Sequence, residues 1–252
     1  MAKIKITCDS TCDLTSELYE KYDIQALPLC VTLGEELHRD GVDVTAQGIF
    51  DYVEKTGTLP KTSAVSVGEY EDFFRPYLEQ GYAVIHINLS TGSGHLAIAA
   101  AELAAQGMEA AEIVDLLNDR KAKLDVSFVL QTLDYLKKGG RCSSIVALGA
   151  NMLSLRPEIA VSDGKMGVGK KYRGKMEKTI LDYVKGRLAG RDDVDTKRIF
   201  VTHSYVPQEI VDKVVALVKE LHPFEEVLET TAGCTISSHC GPNCLGVLFF
   251  TK

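Results

Sequence analysis

The chain has no tryptophan, no apolar run approaching the length of a membrane span, no secretion signal and no surplus of positive charge. Each absence removes a class of function. Without about 20 consecutive apolar residues a helix does not cross a bilayer. With 35 acidic and 28 basic residues the formal net charge is −7, a field that repels polyanions, so no nucleic-acid partner is expected. Met1-Ala2-Lys3-Ile4-Lys5-Ile6 enters a strand at once, without the apolar core and cleavage pattern of a signal peptide, and a cytoplasmic protein is expected. The seven cysteines, an odd number, then read as reduced thiols rather than a disulfide frame. The phosphate-binding pattern G-x-x-x-x-G-K-[ST] is absent too, and Gly167-x-Gly169-Lys170 is too short to replace it.

What is present supports one large or two ordinary α/β domains: 252 residues, 45% hydrophobic and 25% charged. Residues 4–8 read as a strand feeding, through the polar turn 9–14, a helix over 16–22. A second strand is expected over 26–33. Asp40-Gly41 marks a tight turn, and Thr45 caps a helix that stops at Gly57. Residues 60–66 form a hydroxyl-rich loop in which Ser66 and Glu69 make a capping box for a helix with Tyr70, Phe73, Phe74 and Tyr77 on one face. Pro76 is expected to kink it. Thr62 and Ser63 lie outside that box and have no evident structural duty, which makes them ligand candidates.

Residues 82–87 have the composition of a buried parallel strand with His86 as a core residue, and Thr91-Gly92-Ser93-Gly94-His95 is a glycine turn at a helix start, a usable anion cradle. The G-x-G-x-x-A spelling from Gly92 to Ala97 lacks its acid at the end of a second strand, because Asp115 falls in a helical pattern, so no dinucleotide site is expected. A strand over 126–130, a helix over 132–138 stopped by Gly139-Gly140-Arg141, and a short helix through Ile145, Val146 and Leu148 lead to a domain boundary near residue 155. Beyond it a hairpin turns about Asp163-Gly164, a helix covers 177–188, a strand 199–203, and Pro207 opens an amphipathic helix.

Two regions carry most of the chemistry. Residues 230–246 read as a loop between strands and contain Cys234, Thr235, Ser237, Ser238, His239, Cys240 and Cys244. A Ser/His nucleophilic site, a metal site of pattern C-x4-H-C-x3-C, and an anion site in which His239 and hydroxyls donate hydrogen bonds all remain open, beside a plain polar turn with buried thiols. The metal reading lacks the repeated C-x2-C knuckle, and no metal is expected. Residues 165–191 carry nine Lys and Arg against Glu177 and Asp182, a local +7 that suits either an acidic partner or a solvated face.

Taken as an ordered set, Asp9-Ser10-Thr11-x-Asp13-Leu14, Asp40-Gly41-Val42, Thr62-Ser63, Leu136-Lys137-Lys138-Gly139-Gly140-Arg141 and His239-Cys240-Gly241-Pro242 resemble the DegV family nearly from end to end. The resemblance implies a bacterial fatty-acid-binding protein, without a cofactor or catalytic residue of its own, that presents a long-chain fatty acid to a separate fatty-acid kinase subunit. It also implies a fold like the dihydroxyacetone-binding domain of dihydroxyacetone kinases: an N-terminal three-layer parallel-sheet α/β domain (1–155) and a C-terminal two-layer mixed-sheet domain (156–252) carrying the His-Cys-Gly-Pro loop. Carried over by residue, Thr62 and Ser63 become carboxylate-side hydroxyls, His239 a donor to the same carboxylate, Ser90 the stub of a serine loop, and Arg173 a head-group or partner-facing arginine. The basic segment 165–191 would meet the kinase or touch a membrane surface transiently. The alternative is a small-molecule enzyme related to the dihydroxyacetone kinases, with His239 or His203 as general base or covalent anchor.

Two departures stand out. Ala64-Val65 occupies the place of Gln-Pro in relatives. After Ser90, relatives carry a Ser-Ser-x-Leu-Ser-Gly-Thr loop, a helix and a strand, and here the flanks are joined directly. Because a parallel crossover needs about a dozen residues, the expectation is that residues are omitted from the sequence rather than deleted.

Overall fold

In the computed structural model, which describes residues 3–89, 92–140, 155–162 and 164–252, two sheets share one buried helix. The chain begins β1 (Ile4–Asp9), a 3₁₀ turn (Ser10–Cys12), α1 (Ser16–Lys21), β2 (Ile24–Leu27), β3 (Cys30–Leu33), β4 (Glu36–Arg39), α2 (Ala46–Thr56), β5 (Lys61–Ser63), α3 (Val67–Glu79) and β6 (Ala83–Ile87). Next come α4 (Ser93–Ala105), α5 (Ala110–Lys121), β7 (Leu124–Val129), α6 (Asp134–Lys138), β8 (Leu155–Ser162), β9 (Lys165–Arg173) and α7 (Met176–Leu188). The chain continues with β10 (Val194–Ser204), α8 (Gln208–Leu221), β11 (Glu226–Thr231), α9 (Cys234–Cys240) and β12 (Cys244–Thr251). Ser90, Arg141, the expected helix through Ile145, Val146 and Leu148, and Asp163 lie outside the described residues.

Strands β2-β1-β6 form a parallel sheet in which Ile6 stands opposite Ile24 on one side and Ile85 on the other. The small sheet β4-β3-β5 is antiparallel. The six-stranded sheet runs β11-β10-β12-β7-β8-β9, parallel only between β10 and β11. The fold is therefore α/β, with a parallel sheet in the N-terminal half and a mixed one in the C-terminal half. Strand β7 lies upstream of the boundary expected near residue 155, yet it pairs with β12 and β8.

Local rules account for most elements and three exceptions are instructive. The single strand expected over 26–33 is two strands in different sheets, because Pro28 offers no N–H to a ladder and the chain turns there. The expected loop 60–66 contains β5, recruited by pairing of Thr62 with Val31. The expected loop 230–246 contains the helix α9. Elsewhere the Ser66–Glu69 capping box forms, and Gly57 ends α2 in the left-handed conformation (φ 68°).

Helix α4 is apolar all round and correspondingly enclosed. On one side it meets Ile6, Ile85 and Ile87 of the parallel sheet, and on the other Phe200, Leu228, Leu248 and Phe250 of the mixed sheet. Ala97, Ala99, Ala100 and Ala101 are all buried, and their small side chains let both sheets approach. The omission expected after Ser90 falls at residues 90 and 91, which lie outside the described residues. β6 ends at Ile87 and α4 begins at Ser93, a sequence separation within the usual length of a βα connection. A longer crossover is unnecessary because α4 and α5 lead to β7 in the other sheet, not to another parallel strand. Asp9 secures the connection by accepting from the Leu89 N–H. Helices α7 and α8 cover the other face of the mixed sheet through Ile180, Tyr183, Val184, Val211, Val214 and Val218. Among the described residues no helix is long and apolar enough to cross a membrane.

Two glycines separate crowding from propensity. A Cβ on Gly94 would stand 2.6 Å from the Cys12 carbonyl oxygen and 3.1 Å from the Leu14 side chain, whereas one on Gly68 of α3 would meet nothing within 4 Å. Chemical denaturation should show Gly94→Ala losing about 1–3 kcal/mol through overpacking and Gly68→Ala gaining up to about 1 kcal/mol through helix propensity.

Candidate functional site

Helix α9 does not hold itself together. Its seven residues, Cys-Thr-Ile-Ser-Ser-His-Cys, are weak helix formers and too few for an autonomous helix. Its free N-terminal N–H groups are instead met by two carboxylates from the other end of the chain. Asp40 accepts from the N–H of Cys234 (2.7 Å) through one oxygen and from that of Thr235 (2.9 Å) through the other, while Asp13 accepts from Gly233 N–H (2.8 Å). Ser10 Oγ donates to Asp40 as well, at 3.0 Å. This anchoring sets the position of His239 in the last turn. Apart from its place in the family motif set, Asp40-Gly41 reads from the sequence as a turn, since nothing local to it points 194 residues downstream.

His239 Nε2 lies 2.9 Å from Thr62 Oγ1, so a hydroxyl from β5 and an imidazole from α9 form one half-buried pair. Gly139 backs the ring, since a Cβ there would fall 2.6 Å from His239 Nδ1. Thr62 and His239 line a cavity of about 540 Å³ whose apolar wall includes Leu89, Val126, Phe128, Leu136, Met166, Phe200, Ile236 and Leu248. That volume is typical of small-molecule sites. Gly92, Ser93 and Gly94 at the start of α4 also line it. Ser93 Oγ, however, donates to Thr11 O within the protein.

The remaining expected site residues separate. Ser63 follows Thr62 on β5, where successive side chains alternate between faces; it is exposed and not among the cavity-lining residues. Arg173 is exposed at the end of β9, away from the cavity lining. Ser90 is outside the described residues. His203 lines the cavity with its Nε2 3.5 Å from Glu229, and burial lowers its pKa. Among the described residues no group of three or more His, Cys, Asp or Glu is placed to hold a metal ion. Cys234, Cys240 and Cys244 are buried free thiols, and burial pushes Cys234 up to about 12, which leaves it protonated and unreactive. Within the basic segment, Arg187 pairs with Asp125 and Glu158, Arg191 with Asp125 and Asp193, and Lys178 with Asp182. Lys165, Lys170, Lys171, Arg173 and Lys175 on or beside edge strand β9 are exposed.

Two sheets about a shared helix, with a hydroxyl–imidazole pair in the lining of a partly open cavity, define an α/β protein with a candidate small-molecule site. The chain belongs to the DegV family. The family model, described as uncharacterised protein, DegV family, matches residues 3–93 and 88–252. A DegV domain-containing protein of Clostridium perfringens is 27% identical over 290 aligned positions, with 99% of each chain covered, and one of Clostridium acetobutylicum is 26% identical over 285, with 100% of each covered. These alignments are longer than this chain's 252 residues, and the two segments matched by the family model meet at residues 88–93, between β6 and α4. The shortening relative to relatives therefore falls at that connection. Among solved structures, a fatty-acid-binding DegV family protein from Thermus thermophilus superposes with TM-score 0.83 at 25% identity, covering 100% of both chains. The fatty acid kinase B3 protein of Streptococcus pneumoniae, loaded with linoleic acid, shares the fold with TM-score 0.81 at 17% identity, covering 99% of this chain and 100% of that one.

Both anchoring carboxylates are testable. Asp40→Ala strips the partners from two N–H groups at once and should cost about 2–4 kcal/mol in denaturant melts, within the range for charge-assisted hydrogen bonds lost from buried sites. Asp13 behaves differently. Desolvation raises its carboxyl well above the ordinary range, against the Gly233 N–H bond, with Asp40 and Asp9 adding to the rise. Its contribution to stability is therefore complete below the unfolded pKa, near ~3.9, and is lost as pH rises through the folded value. Asn keeps the acceptor and tolerates the left-handed φ of 52°. Asp13→Asn should therefore melt higher than the parent at neutral pH, with the difference vanishing toward pH ~4.

Proposed function

We propose that this chain is a cytoplasmic carrier of a long-chain fatty acid, with the carboxylate held by Thr62 and His239 and the tail in the cavity. In this reading it presents the carboxylate to a separate fatty-acid kinase, which supplies the phosphoryl group of the acyl phosphate, and the chain contributes no catalytic group. The observation that carries the reading is the Thr62–His239 pair in the lining of a cavity with a largely apolar wall. A hydroxyl and an imidazole N–H both donate to a carboxylate and leave an oxygen free for phosphorylation. The tail supplies most of the affinity: at about 0.8 kcal/mol per methylene, roughly fifteen buried methylenes offer on the order of 12 kcal/mol before the costs of association. The fatty acids in the Thermus and Streptococcus relatives support the same assignment. Ser63, on the other face of β5, takes no part in this grip. Arg173 and the exposed lysines of β9 form the partner-facing surface, suited to an acidic face of the kinase or to transient contact with an anionic membrane.

Native mass spectrometry of the purified protein, followed by denaturation and identification of released small molecules, tests the carrier reading. A stoichiometric long-chain fatty acid is expected, with affinity falling about tenfold to a hundredfold in Thr62→Val and in His239→Ala. A protein that is empty and takes up no added fatty acid would overturn it.

A further inference from the structure

The cavity lining also holds a buried polar group that a plain hydrocarbon tail leaves unused. His95 lies near the start of α4, is 1% exposed, and lines the cavity beside Phe200 and Leu248. Its Nε2 is 2.9 Å from Leu248 O. A carbonyl oxygen only accepts, so Nε2 carries the proton and Nδ1 presents a bare lone pair. Burial lowers the pKa to about 4, so the ring is neutral at physiological pH. Phe200 and Phe250 pack edgewise on the imidazole at 4.5 and 5.1 Å between ring centres and hold its orientation. Nδ1 is buried and has no hydrogen-bond partner. Nearer the Thr62–His239 pair, Thr235 stands one turn before His239 on α9, lines the same cavity at 4% exposure, and its Oγ1 also lacks a partner.

An unpaired buried acceptor is destabilising, and native proteins rarely leave one without a ligand or water to meet it. An apolar side chain at position 95 would pack between the two phenylalanines without that penalty. We propose that the fatty acid bound by this chain carries a hydroxyl group along its tail, and that this hydroxyl donates a hydrogen bond to His95 Nδ1. The inference rests on the carrier reading and adds the ligand's class to it. The lone pair discriminates between oxygenated tails: an alcohol donates to it, whereas an oxo group, which has no proton, cannot. Thr235 Oγ1, which both donates and accepts, serves as a second polar contact for such a tail.

Competition binding with positional hydroxystearic acids, stearic acid and oxostearic acids separates the possibilities. At least one hydroxystearic isomer should bind the parent protein about tenfold more tightly than stearic acid does. The oxo acids should gain nothing from His95, so any preference for them, through Thr235, should survive His95→Leu. His95→Leu should abolish the hydroxystearic preference while leaving stearic acid affinity within about twofold. On the parent protein, the ¹⁵N resonance of His95 Nδ1 should move on addition of the preferred hydroxy acid and not on addition of stearic acid, a readout that does not require the variant to fold. Equal affinity for all hydroxylated and plain acids, or an unmoved Nδ1 resonance, would overturn the inference while leaving the carrier reading intact. A parent protein that binds none of these acids would overturn both.

Discussion

One carboxylate does an unusual share of the organising. Asp40, at the end of β4, reaches the first N–H groups of α9, and that charge-assisted contact at a helix N-terminus is what makes a helix of residues 234–240. The dependence runs on from there. α9 places His239 against Thr62, Thr62 is held on β5 by the small sheet that β3 and β4 complete, and Asp40 directly follows the last residue of β4. The polar pair thus closes a ring of contacts that starts and finishes within the same small sheet. Such a ring fixes geometry better than any member does alone, which suits a site that must orient one polar group.

Helix α4 plays the same part for the apolar half of the architecture. Its alanines let two sheets of different type share one core, and its first turn, through Gly92, Ser93 and Gly94, also lines the cavity. Cavity and core are therefore parts of one packing arrangement. The shortened β6–α4 connection is compatible with this because α4 is held by contacts on both sides rather than by the length of the chain leading into it.

Much of the fold was legible. The strand at residues 4–8, the Ser66–Glu69 box, the hairpin flanking residue 164 and the amphipathic helix α8 each follow from local rules, and each forms. The motif set also led to the right family. The misreadings share a cause: β5 and α9 are recruited by distant partners, Val31 for one and Asp40 for the other, and no local pattern in 60–66 or 230–246 encodes those partners. Thr62 and His239 could be joined at one carboxylate only through the family resemblance, because 177 residues separate them and no local pattern links the two. His95 was visible only as part of a glycine turn. Its burial between Phe200 and Phe250 depends on the mixed sheet, which the sequence around it does not describe.

The position of β12 has a bearing on how the chain reaches this structure. It follows every other strand in sequence yet lies between β10 and β7. Until it inserts, β7 has no neighbour on that side, α4 lacks the Leu248 and Phe250 half of its covering, and the carbonyl that fixes the His95 tautomer is missing. A chain emerging from the ribosome at roughly 5–20 residues per second therefore spends seconds with its central helix half-clothed, the interval in which sheet proteins of high contact order are most prone to associate wrongly. The lysines along the outer strand β9 stand guard at the edge where such association would start.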